Sequence, residues 1–180
     1  RQGPATDLRT RRAIRRAVTP LVLGNRVIVS SHTLGLRAFD FVERDGSWVV
    51  LPAWEAPSLK TSLSTGVVVD GHLYGQGPDR DFVCVEVATG RVRWRRAGFG
   101  DRPLVGHSAV IAAGSRLFVL SDDGQGVLLA ADPGGYRELS RHQYCGRTWS
   151  HPALAKGHLF IRDRRQLVAV PVVPSRPGSP

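Results

Sequence analysis

Six histidines, two cysteines and one adjacent pair of carboxylates are the residues of this chain best suited to metal, redox or acid–base chemistry. Their placement favours none of these uses. His32, His72, His107, His142, His151 and His158 show no pair at the close spacing of a helix-borne or ribbon zinc site. His72 and His158 stand just after equivalent turns, so internal repetition accounts for them; His151 precedes Pro152 at a strand entrance, where a hydrogen bond to a neighbouring unit is the ordinary role. Cys84 and Cys145 form no C-x-x-C, haem-attachment or zinc spacing. Cys84 lies in an apolar strand pattern and reads as a small buried filler, and a bridge to Cys145 stays open. Asp122-Asp123-Gly124-Gln125-Gly126 offers only a few of the roughly six to eight oxygens that calcium takes. Neither Gly106-His107-Ser108-Ala109 nor Gly114-Ser115 completes a nucleophile elbow. No catalytic, cofactor-binding or metal-binding residue is assigned from sequence.

The elements that would position such residues are strands. Leu21-Val22-Leu23-Gly24-Asn25-Arg26-Val27-Ile28-Val29 sets a pattern of apolar run, tight turn and apolar run. It recurs at Val67–Gly75 around Asp70-Gly71, at Val110–Val119 around Gly114, and at Ala153–Ile161 around Lys156-Gly157. Turns of this composition suit two-residue hairpins, because their positive φ matches the twist of the flanking strands. With Asn25, Gly71, Gly114 and Gly157 as markers the period is about 43 to 46 residues, the spacing of propeller blades.

A second hairpin follows each first one. Phe82–Val87 turns through Ala88-Thr89-Gly90 into Arg91–Trp94; Leu36–Phe41 turns through Arg44-Asp45-Gly46 into Ser47–Val50; Val127–Ala131 turns through Asp132-Pro133-Gly134-Gly135 into Tyr136–Leu139. Two hairpins per period make four antiparallel strands, one blade. The units fall at 20–57, 63–103 and 106–150, with a fourth stopping after its second or third strand near Val173. Dense Gly and Pro leave no room for helices after residue 20; the one helical candidate is Ala5–Val18. The segment from Pro171 to Pro180 reads as a frayed tail, since Pro cannot donate to a ladder.

At 180 residues and 42% hydrophobic the chain is long enough to bury a core as one domain. It holds no apolar run of the roughly 18 residues a membrane-spanning helix needs and no signal-peptide core near its start. The formal charge of +10 would draw it towards polyanions if it were clustered. Arginine is scattered throughout, however, and Lys60 and Lys156 are the only lysines. One cluster stands out, Arg9, Arg11, Arg12, Arg15 and Arg16, read as a connector; no specific nucleic-acid target is expected.

Cys84-Val85-Glu86-Val87-Ala88-Thr89-Gly90-Arg91-Val92-Arg93-Trp94 resembles the repeat A-x-D-x-x-T-G-x-x-x-W of the pyrroloquinoline-quinone (PQQ) type β-propellers. Cys84 takes the small position and Glu86 stands in for Asp, while Thr89, Gly90 and Trp94 match outright. Ser64–Gly75 and Trp149–Asp163 are similar to the C-terminal blades of the quinoprotein-like, BamB-like family grouped with outer-membrane barrel assembly. A WD-type repeat fits less well, because Arg95 follows Trp94 where Asp is wanted.

The resemblance implies an all-β fold of three full blades and a partial fourth, part of a larger propeller of seven or eight. Residues 1–19 would be an Arg-rich connector or part of an upstream blade, 20–173 the propeller segment and 174–180 a flexible tail. It also implies a non-catalytic module that binds protein partners in the periplasm or cell envelope, with the remaining blades in other sequence. The alternative it carries is part of a PQQ-dependent dehydrogenase, with PQQ and calcium as cofactors and the active-site residues upstream. The expected Ca²⁺ ligands, Asp base and vicinal cysteines of such an enzyme are not recognisable in these residues.

Overall fold

The computed structural model describes residues 18–31, 33–60, 64–100 and 107–172. Fifteen strands form four antiparallel sheets, each meandering in chain order. The first holds β1 (Leu21–Leu23), β2 (Arg26–Ser31), β3 (Gly35–Arg44) and β4 (Ser47–Ala56). The second holds β5 (Val67–Val69), β6 (His72–Gln76), β7 (Asp81–Glu86) and β8 (Val92–Ala97). β9 (Ser108–Ala113), β10 (Arg116–Ser121), β11 (Gln125–Ala130) and β12 (Glu138–Gln143) make the third. The fourth has three strands, β13 (Ala153–Ala155), β14 (His158–Arg162) and β15 (Leu167–Pro171). The described residues contain no helix.

Turn chemistry explains the hairpins. Asp45-Gly46, Asp70-Gly71 and Lys156-Gly157 all take positive φ at both central residues, as a type I′ turn requires. Register locates the equivalent turns: Arg26, His72, Arg116 and His158 open the second strand of each sheet, refining the repeat to steps of 46, 44 and 42. Pro171 corrects one expectation. It does not begin the tail but closes β15 opposite His158, which is tolerated because β15 is the edge strand of its sheet among the described residues. The Ala5–Val18 helix, Val18 apart, and the Arg9–Arg16 cluster fall outside the described residues.

The core lies between sheets. Ile28, Leu36, Ala38 and Ala56 of the first pack on Leu73, Val83 and Val85 of the second, together with Leu59. Tyr74, Phe82 and Cys84 of the second pack on Val110, Leu117, Val119, Val127 and Leu129 of the third, around Phe99. Leu120 of the third and Cys145 meet Leu159 and Ile161 of the fourth. Each middle sheet is therefore buried on both faces, the stacking of blades side by side. β5 and β9, the first strands of adjacent blades, approach one another.

Register also explains the repeat signature. Cys84 pairs with Tyr74 on one side and Trp94 on the other, so the small residue and the Trp are cross-strand neighbours on one face and their volumes compensate. Within the turn, the Thr89 hydroxyl donates to the Glu86 carboxylate, and the Gly90 N–H donates to the Glu86 carbonyl at 2.8 Å. Glu thus does the work expected of Asp. Gly90 takes φ +74°, and a Cβ there would lie 2.5 Å from the Trp54 ring. The glycine of one blade is the seat for the tryptophan of the blade before it.

Candidate functional site

The histidines do not converge. His72 and His158 sit at equivalent positions, and each ring Nδ1 lies against a carbonyl two residues back, Asp70 at 2.8 Å and Lys156 at 3.0 Å. Repetition does account for them. His151 Nδ1 lies 3.0 Å from the Pro152 carbonyl, so its hydrogen bond is local, while its ring bears electrostatically on His107 across the third junction. His32 lies outside the described residues. Among the described residues no three His, Cys, Asp or Glu side chains gather where they could hold a metal ion.

Cys84 and Cys145 are free and buried in different inter-sheet cores. Burial, the largest influence on it, pushes the Cys84 thiol up to about 11, the state of a packed filler rather than a nucleophile. The residues present also do not fit a quinone with its calcium. Asp122 and Asp123 belong to the β10–β11 turn, where an Asp123 carboxylate oxygen already accepts the Gln125 N–H at 3.1 Å. No vicinal cysteines are available.

Chemistry converges elsewhere, on one rim of the third and fourth sheets. The β12–β13 loop and the β14–β15 turn enclose an open groove of about 1070 Å³ lined by Arg147, Trp149, Arg162, Arg164, Arg165 and Asp163, among others. Its backbone is tethered. Thr148 donates its N–H to the Asp122 carbonyl at 3.0 Å and its hydroxyl to the Arg162 carbonyl at 2.6 Å, and accepts the Ser150 N–H at 3.0 Å. Asp163 accepts N–H groups from Arg165 and Gly146, each at 2.7 Å, and from Gln166 at 2.9 Å. Those backbone bonds, that from Arg165 foremost, hold its carboxyl below the ordinary carboxylate range.

Arg147 and Trp149 flank the tethered Thr148, so they are displayed from fixed backbone, and Trp149 is 69% exposed. Four guanidinium groups face two carboxylates, Asp122 and Asp163. Such a surface can hold anionic groups and an apolar side chain; it carries no nucleophile with an adjacent base. Sequence reading singled out Asp122 only, and for calcium; Trp149, Arg162 and Asp163 entered it only as part of the stretch that resembles the family's blades, with no site role. The available signal was charge at equivalent turns: Asp79-Arg80-Asp81 and Asp122-Asp123 on the second and third sheets, against Asp163-Arg164-Arg165 on the fourth.

Stacked antiparallel meanders, joined at the first two junctions by an outer-strand Trp whose indole N–H donates to a carbonyl of the next blade, define the class: a β-propeller of PQQ-like repeats, here a partial one. The family model described as outer membrane protein assembly factor BamB matches residues 6–97 and again 51–135. The chain belongs to that family.

Solved structures agree on the fold. BamB from Moraxella catarrhalis matches with TM-score 0.59 at 18% identity over 84% of this chain and 41% of its own. The computationally designed Ika4 protein matches with TM-score 0.58 at 11% identity over 92% of this chain and 95% of its own. Apo AztD from Citrobacter koseri gives 0.55 at 12% identity, over 87% and 44%. The chain therefore spans about two-fifths of the length of the BamB structure. No curated protein matches it. No helix among the described residues is long and apolar enough to cross a membrane.

Proposed function

We propose that this chain is a non-catalytic propeller segment that binds protein partners as a scaffold, in an assembly role at the cell envelope and on its periplasmic side. In this reading residues 20–173 are the propeller segment, flanked by a connector or part of an upstream blade over 1–19 and a tail over 174–180, with the remaining blades in other sequence; the family match from residue 6 supports the blade alternative for 1–19. The observation that carries the reading is the rim: the third and fourth sheets, joined by loop-to-turn hydrogen bonds, present a tethered, cationic groove with an exposed Trp. Trp and Arg on a fixed frame are the side chains that dominate protein-binding energetics. Membership of the BamB family supports the envelope role.

Two measurements test this. Cell fractionation should place the protein with the envelope, and its deletion should lower the amount of β-barrel proteins in the outer membrane. Unchanged barrel levels together with a cytosolic location would overturn the reading. Dye reduction with alcohols or sugars in the presence of PQQ and Ca²⁺ would replace it with the dehydrogenase alternative.

A further inference from the structure

We propose that the groove between the β12–β13 loop and the β14–β15 turn takes an extended acidic peptide, with carboxylates on Arg162 and Arg164 and an apolar side chain against Trp149. The proposal rests on the scaffold reading and names the chemistry of the partner segment.

Arg26, Arg37, Arg95 and Arg141 each have an acid partner: Asp40, Glu55, Asp81 and Glu138. The side chains of Arg162 and Arg164 are exposed and make no hydrogen bond or ion pair among the described residues. Asp163, between them in sequence, cannot serve both, because its oxygens are occupied by three backbone N–H groups. Two guanidinium groups that line one groove with no ion pair of their own among the described residues gain from a bidentate carboxylate, whose two oxygens match their fork geometry.

Four features favour a peptide over a phosphate polymer, a membrane or a small molecule. The groove is lined by Asp122 and Asp163 as well as by arginines, and Asp163 is held in its charged form. A continuous polyanion would run against both, whereas a peptide can space its carboxylates to meet the arginines alone. Trp149 is the only aromatic among the described residues lining the groove, where a nucleic-acid groove uses a series of stacking rings. The site is concave, so a flat anionic membrane cannot reach its floor. Its volume also exceeds the roughly 300–1,000 Å³ of small-molecule pockets, leaving room for several residues.

The test is fluorescence anisotropy with a labelled octapeptide of alternating Glu and Phe or Gly, alongside its Lys-for-Glu twin, an octathymidylate and anionic vesicles. The acidic peptide should bind at least about tenfold more tightly than the twin, and Trp149→Ala or the double change Arg162→Glu with Arg164→Glu should each weaken it by about tenfold. Trp48→Ala and Arg44→Glu, exposed positions on the first sheet, should leave binding within about twofold. Circular dichroism checks that the exposed substitutions keep the fold. Equal or tighter binding of octathymidylate or vesicles would overturn the proposal, as would no binding of the acidic peptide, or equal loss from Trp48→Ala. If the peptide fails while deletion still depletes outer-membrane barrels, the scaffold reading stands and this groove is not its docking site. If the peptide binds but barrel levels hold, the groove stands and the envelope role falls.

Discussion

The junctions between blades are built in two ways. At the first and second, a tryptophan on the outermost strand reaches the next blade: Trp54 donates its indole N–H to the Val87 carbonyl at 2.9 Å, and Trp94 to the Asp132 carbonyl at 2.8 Å. Arg26, ion-paired to Asp40 at 2.7 Å, adds a bond to the same Val87 carbonyl at 2.9 Å. Around Trp94 gather Tyr74, Phe82, Phe99 and Tyr136, with ring centroids 5.1 to 6.3 Å apart in the contacting pairs. At the third junction the equivalent of Trp94 is Ser140, paired with Leu128 where the other blades have Ala38 and Cys84. Bulk has moved from the outer strand to its neighbour. The core there is smaller, only Leu120, Cys145, Leu159 and Ile161 being buried in it, and loop-to-turn hydrogen bonds do much of the joining. The lesson is that a blade repeat can give up its aromatic seal where polar rim contacts hold the next sheet, and the groove lies at that same junction.

The sharpest way to break this comparison is Trp94→Ala: the ring is half-buried against the second core, so the loss should be about 2–3 kcal/mol, below that of a fully buried aromatic. Ser140→Ala should cost less than about 0.5 kcal/mol. Urea unfolding of both variants decides, and equal losses would mean that the junctions do not differ as described.

Volume compensation is tested next. Ser140→Trp alone should overpack against Leu128 and cost about 1–3 kcal/mol. Adding Leu128→Ala recreates the arrangement at Cys84 and Trp94 and should recover at least about 1 kcal/mol, a coupling of the size seen between touching residues. Strict additivity in the double-mutant cycle would remove the idea of a shared site.

Acid should separate the junctions by pH. Burial foremost, with His151 nearby and against the opposing pull of Asp122, lowers the pKa of His107. A folded state that keeps this ring neutral is favoured above about pH 6.5, the unperturbed value, and loses that contribution as pH falls towards and through the depressed pKa. Hydrogen bonds from Arg141 hold Glu138 below the ordinary carboxylate range, and those from Arg26 do the same for Asp40. Their contribution is present above about pH 4 and is lost as pH falls through the depressed values. The urea midpoint should therefore drop in two steps. His107→Gln should flatten the upper step, and Arg141→Gln the lower; a single acid step unaffected by His107→Gln would contradict the assignment.

The smallest effect concerns Ser108, fully buried at the second junction with no partner for its Oγ among the described residues. Its backbone N–H already takes the Ser64 hydroxyl at 2.9 Å, so Ser108→Ala removes only an unmet polar atom. We expect a change from zero to a gain of about 1 kcal/mol in thermal or urea unfolding; a clear loss would show that the hydroxyl is satisfied.

Much of the fold was legible because hairpins are local. Asp70-Gly71 and Lys156-Gly157 need only their own φ preferences and the apolar runs beside them to declare a turn, and four such turns at one period declare blades. The first blade hid its tryptophan: Ala38 and Asp40 fit the repeat, but β3 and β4 are ten residues each, so Trp54 stands sixteen residues after Ala38 instead of ten. Trp48, nearer in sequence, is 68% exposed. The candidate site was not legible in this sense. Arg147 and Trp149 lie on one loop and Arg162 to Gln166 on the end of β14 and the turn after it; the likeness of Trp149–Asp163 to the family's blades speaks for the repeat and names no binding motif.

Residue order by itself determined the all-β character, the turn positions and the blade period, because each depends on backbone preferences within a few neighbouring residues. Only the stacked sheets decided which tryptophans seal junctions, that Ser140 and Leu128 exchange volume, and that four guanidinium groups share one groove. Those facts depend on how side chains distant in sequence meet once whole sheets pack face to face, and no local preference specifies that distance.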